Sequence, residues 1–173
     1  MGWNDFYRRN DVLNAVVEHA RRNPAATLPF DEIPEVAEVF DSLAELLRAL
    51  HHRWFMALTG RVELALAEAE RDPDADPVEV VSAAWRSTAA WHDVLRRLLD
   101  TNVDEHRSAL RAALEGEQRM LALASGLAKP NEPKDEITRI GATYFTLMRN
   151  APERTARRRN PVEQLLRRLV PSA

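Results

Sequence analysis

The sequence predicts an all-α fold: an up-and-down helical bundle of four main helices built on one long helix over residues 35–71, with additional short C-terminal helices. The 173 residues are 45% hydrophobic and 29% charged, which is typical of a globular protein. Only five glycines occur, too few for a fold made of glycine turns, whereas the abundant alanine and leucine favour helices. Apolar residues recur at steps of three and four in one segment after another, and no segment alternates as a strand does.

The first helix is predicted to begin at the capping pair Asn4 and Asp5. It should end at Asn23, because the following Pro24 disfavours a helical residue before it. Its apolar stripe consists of Phe6, Leu13, Val16, Val17 and Ala20. One face of this helix is therefore expected to pack against the rest of the bundle.

The long helix follows an irregular connection over residues 24–34, which Phe30 and Ile33 should anchor in the core. Its apolar positions are Val36, Phe40, Leu43, Leu47, Leu50, Trp54, Leu58, Val62 and Ala65. At 1.5 Å per residue, a helix over residues 35–71 would be roughly 50 Å long. Gly60 in its middle costs about 1 kcal/mol relative to alanine. This glycine indicates a bend, a close crossing by a neighbouring helix or a tolerated surface position.

Three further helices are predicted after the long helix, two of them main helices of the bundle. Asp76 and Pro77 should cap and open a helix that reaches about residue 100. The next helix is predicted over residues 103–128, and the last over 135–149. Gly141 lies on the apolar side of the last helix, where it would allow a close approach between helices. The four tryptophans, at helical spacing, are expected to be core residues, with an aromatic pocket as the alternative; they are Trp3, Trp54, Trp85 and Trp91.

A basic tail is predicted to follow the bundle domain, with residues 1–150 as the domain and residues 151–173 as the tail. From residue 149 onward the net charge is +5, which leaves −8 on the rest of a chain whose total is −3. A short amphipathic helix is expected from about Pro161 to residue 170. The tail's arginines form a candidate partner-binding patch: Arg154, Arg157, Arg158, Arg159, Arg167 and Arg168.

The basic patch is expected to dock on the acidic body of the same chain or on a protein partner. Nucleic acid or an anionic membrane is a less favoured partner. No aromatic residues are interleaved with the arginines, and no DNA-binding motif is present.

Histidine placement suggests one candidate ligand site. His51 borders the core stripe of the long helix, and His92 and His106 lie on the core stripes of theirs. Counting residues back from the turns places the three histidines at similar levels along the bundle axis. Three histidines around an open coordination position can hold a catalytic zinc ion. Glu117, also on an apolar stripe, would be a fourth polar group. The alternative is that the histidines bond to neighbours and Glu117 pairs with an arginine.

Several classes of protein are excluded. The chain has no cysteine, so it has no disulfide, zinc–thiolate site, iron–sulfur cluster or cysteine nucleophile. P-loop, dinucleotide-binding and serine hydrolase signatures are missing. The N-terminus lacks the apolar core of a signal peptide, and a cytoplasmic location is expected.

The sequence therefore favours a non-enzymatic helical protein–protein interaction or regulatory module, expected to be a homo-oligomer that associates through the long helix. The alternative is a helical bundle whose histidine-lined interior binds a divalent metal or a small molecule. Enzymatic activity is left open, with a non-enzymatic role favoured.

Overall fold

The computed structural model describes residues 3–23 and 33–150, and this part of the chain is all-helical, without a strand. The predicted all-α class is confirmed. The basic tail over residues 151–173, with its arginines and predicted helix, lies outside the described residues, as does Phe30. The helices are α1 (Trp3–Arg22), α2 (Pro34–Val39), α3 (Leu43–Ala69), α4 (Pro77–Trp91), α5 (Asp93–Asn102), α6 (Arg107–Ala124) and α7 (Lys134–Asn150).

The prediction of one continuous helix over residues 35–71 is wrong, because the chain leaves helical geometry at Phe40, with φ −122° and ψ 125°. Ser42 then caps α3, and its hydroxyl accepts a hydrogen bond from the Glu45 amide at 3.2 Å. The Glu45 carboxylate reaches back to the Asp41 amide at 2.9 Å. This reciprocal arrangement resembles a capping box, which satisfies the free amides at a helix start.

A second break occurs at His92, so the helix predicted to run from Pro77 to about residue 100 is also two helices. His92 has φ −115° and ψ 38°, and the chain restarts as α5 at Asp93. Four buried residues of α5 then join the core: Val94, Leu95, Leu98 and Leu99. The predicted start of α4 is confirmed, because Asp76 Oδ1 accepts from the Val78 amide at 3.0 Å.

Helix α3 lies at the centre of the fold and contacts α4, α5 and α6. Seven of its residues are buried: Leu46, Leu47, Leu50, His51, Trp54, Leu58 and Val62. Ile33 packs on this core as predicted. Helices α6 and α7 pack closely at Gly141, because a Cβ placed there would overlap the backbone carbonyl of Gln118. The close helix approach predicted at this glycine is therefore confirmed.

The tryptophans do not all lie in the core. Trp54 and Trp85 are buried, with their rings edge-on at 6.1 Å, and Trp85 meets Phe145 in the same way at 5.7 Å. Trp91, by contrast, is 86% exposed. The core prediction for Trp91 is therefore wrong, because α4 ends at this residue and its side chain lies on the surface.

None of the helices in the described ranges combines the length and the apolar character that crossing a lipid bilayer requires.

Candidate functional site

A buried carboxylate on α6, Glu117, organises the polar interior and is 2% exposed. Its Oε2 lies 2.9 Å from His51 Nε2, and its Oε1 accepts from Trp54 Nε1 at 3.0 Å. His51 and Trp54 are three residues apart on α3, so one helical turn presents both side chains to the same carboxylate. Because an ionised carboxylate only accepts hydrogen bonds, His51 donates from Nε2.

Arg96 of α5 completes what we call the Glu117 cluster, which comprises Glu117, His51, Trp54 and Arg96. The Arg96 Nη1 lies 3.8 Å from Glu117 Oε1, and the guanidinium lies over the Trp54 ring at 4.9 Å. Arg96 Nη2 donates to Asp100 Oδ1 at 2.7 Å, and Asp100 pairs with Arg149 at 3.0 Å. This chain of charges joins α3, α5, α6 and the end of α7.

The pKa of Glu117 is set by opposing effects. Burial acts to raise this pKa, because a carboxylate loses its hydration in the interior. The hydrogen bond from His51, the charge of Arg96 and the hydrogen bond from Trp54 outweigh burial, so the pKa lies below its ordinary value. Glu117 is therefore an ionised structural acceptor and a weak base, with both oxygens already engaged.

The four candidate metal ligands do not share one location. His51 and Glu117 are brought together, whereas His92 is exposed between α4 and α5, and His106 is the partly exposed residue before α6. Both of these histidines sit at helix ends because the helices expected to carry them are interrupted or begin later. Within the described residues, no three histidine or carboxylate side chains form a group that could hold a metal ion. The metal site stays a prediction.

An exposed groove of about 450 Å³ lies between α3 and α4. Arg61 Nε donates to Ser87 Oγ across it at 3.4 Å. Beside it, Trp91 is 86% and Leu64 50% exposed. The groove is lined by Ala57, Gly60, Arg61, Leu64, Ser87, Thr88, Trp91 and His92. Sequence reasoning missed this feature, because the apolar pattern alone placed Trp91 beside the core stripe.

Comparisons with protein-family models, curated proteins and solved structures found no match to this chain. The site is therefore interpreted from its own geometry. That geometry offers a closed polar cluster inside the bundle and, between α3 and α4, an open groove with both apolar and polar lining. Neither His51 nor Glu117 lines the groove or the small pocket on the other side of Trp91.

Proposed function

We propose that this chain is a non-enzymatic protein–protein interaction module that binds its partner through the α3–α4 face, which we define as Met56, Gly60, Leu64 and Trp91. The observation that carries the proposal is the exposure of Trp91 and Leu64 along one open groove, whose lining is half apolar and half polar. Single exposed apolar side chains are ordinary on protein surfaces. A tryptophan and a leucine that line one groove, with Met56 exposed one turn before Gly60 on the same helix, are typical of an interaction site.

The composition of this face matches that of protein interfaces. Tryptophan, methionine and arginine are enriched in interface cores, and tryptophan and arginine carry much of the binding energy. The face supplies Trp91 and Met56, and Arg61 lies in the groove itself. Glu63 and Glu68, on either side of Leu64 along α3, are exposed, so polar side chains accompany the apolar ones, as interfaces commonly have.

The Glu117 cluster supports a non-enzymatic role. Catalysis by the pair of His51 and Glu117 would require a substrate to reach them, and both side chains are buried. Both carboxylate oxygens already accept hydrogen bonds from the protein. The cluster holds helices together behind the α3–α4 face. A cytoplasmic location remains a prediction from the sequence.

Photo-crosslinking tests the proposal. A benzoylphenylalanine at position 64 should give a cross-linked species of defined mass in the cells that make the protein. The matched control is position 147, because Leu147 is 65% exposed on α7, away from the groove. The position-64 species should disappear in the Trp91→Ala background. Equal products from positions 64 and 147, or a product that survives Trp91→Ala, would contradict the proposal.

A further inference from the structure

We propose that the α3–α4 face binds a second copy of this chain, with the two α3 helices antiparallel across a twofold axis at Gly60. The inference rests on the proposed function, since it names the partner for the same face. It is carried by three features of α3: a glycine with open space around it, apolar side chains at equal distances on either side, and opposite exposed charges near its two ends.

Gly60 lies in the interior of the 27-residue helix α3, where a glycine is less favourable than alanine. A Cβ placed on Gly60 would meet nothing within 4 Å, so no part of the described chain uses the missing side chain. Gly141 shows what such a position can provide, because the α6 backbone packs directly against it. A second α3 crossing at Gly60 would use the open space in the same way.

The antiparallel arrangement pairs the apolar residues of the face. Met56 and Leu64 each lie four residues from Gly60, about 6 Å along the helix, so Met56 of one copy faces Leu64 of the other. Trp91 lines the groove beside Ala57, which is at the same height as Met56. Trp91 should therefore cover Leu64 of the second copy. The twofold makes each of these contacts twice, as in an isologous dimer.

Two exposed charges near the ends of α3, Arg48 and the C-cap residue Glu70, complement one another in this arrangement. Arg48 lies about 18 Å before Gly60 and Glu70 about 15 Å after it, so each approaches the other across the axis. A parallel pair would instead place Arg48 against Arg48.

The charge of the groove favours a second copy over the chain's own tail. Arg61 is the charged residue that lines the groove, and Arg21 and Arg53 outnumber Asp93 in the adjoining pocket. Residues 151–173 carry six arginines against two glutamates. A cationic segment is repelled by these arginines, whereas the second half of another α3 brings Glu63 and Glu68 together with its own Arg61.

Light scattering of the full chain at tens of micromolar tests the inference, with a mass twice 19.7 kDa expected. Gly60→Gln should give the monomer mass, because the new side chains would separate the crossing helices. The matched control is Gly116→Gln. Gly116 is also a mid-helix glycine with nothing within 4 Å of a Cβ, and this variant should stay a dimer. Circular dichroism of both variants should show unchanged helix content.

A charge exchange tests the predicted register. Glu70→Arg should weaken the dimer roughly tenfold, because the new arginine meets Arg48 of the second copy twice per dimer. Adding Arg48→Glu should restore association.

A monomeric wild type, or a Gly60→Gln variant that associates as tightly as wild type, would overturn the dimer. So would a cross-link from position 64 into residues 151–173 of the same chain. A monomeric wild type that still forms a Trp91-dependent cross-link to a different protein removes the dimer and retains the proposed function. If neither the dimer nor the cross-link is found, the dimer inference and the proposed function are both ruled out.

Discussion

Replacing Glu117 with alanine is expected to lower the free energy of unfolding by about 3–5 kcal/mol, the usual loss when one member of a buried ion pair is removed. The substitution leaves the donors of His51 and Trp54 without their acceptor. It also leaves Arg96 buried without the carboxylate 3.8 Å away. Urea unfolding followed by circular dichroism measures the loss.

Two controls separate this effect from a general sensitivity of α6. Glu117→Gln retains the side chain's size and one oxygen acceptor but removes the charge, so a smaller loss of about 1–3 kcal/mol is expected. Glu115→Ala removes a partly exposed carboxylate of the same helix, which pairs with Arg119 at 3.6 Å. Its loss should be within about 1 kcal/mol. A Glu117→Ala loss no larger than that of Glu115→Ala would show that the buried cluster does not stabilise the bundle.

Gly141→Ala is expected to lower the free energy of unfolding by about 2–3 kcal/mol, as overpacking in a close helix contact does. The added methyl group would overlap the carbonyl of Gln118, which belongs to the backbone and cannot rotate away. Helices α6 and α7 must therefore move apart. Thermal unfolding of the variant and of wild type measures the change.

Gly116→Ala is the matched control for this second prediction. It lies on α6, where a Cβ meets nothing within 4 Å, so alanine should stabilise the protein by about 0.5–1 kcal/mol. The free energy of unfolding should therefore fall in Gly141→Ala and rise in Gly116→Ala. A stabilising Gly141→Ala would show that α6 and α7 are not in contact there.

Helix content could be predicted from the sequence because periodic apolar residues dictate which faces are buried. The helix breaks were harder to predict. Ser42 and Glu45 have the spacing of a capping box, so the start of α3 could have been read from them. At His92 neither proline nor glycine marks the break. There the burial of α5 residues such as Leu95 and Leu99 overrides the local preference for a continuous helix.

The sequence could predict the candidate site only for residues whose location in the fold does not depend on where a helix is interrupted. Glu117 on an apolar stripe required a partner, and the alternative of pairing with an arginine agrees with Arg96. The convergence of His92 and His106 with His51 depended on uninterrupted helices, which the chain does not form. The exposure of Trp91 depends on where α4 ends, and the apolar pattern does not specify that point.

Light scattering of the Trp91→Ala variant is the most direct test that the α3–α4 face mediates association. Because Trp91 is 86% exposed, its removal should change the free energy of unfolding by no more than about 0.5 kcal/mol. The dimer should nevertheless dissociate roughly a thousandfold more readily, because each dimer loses two interface tryptophans that contribute about 2 kcal/mol each. A folded Trp91→Ala variant that associates as tightly as wild type would contradict this assignment.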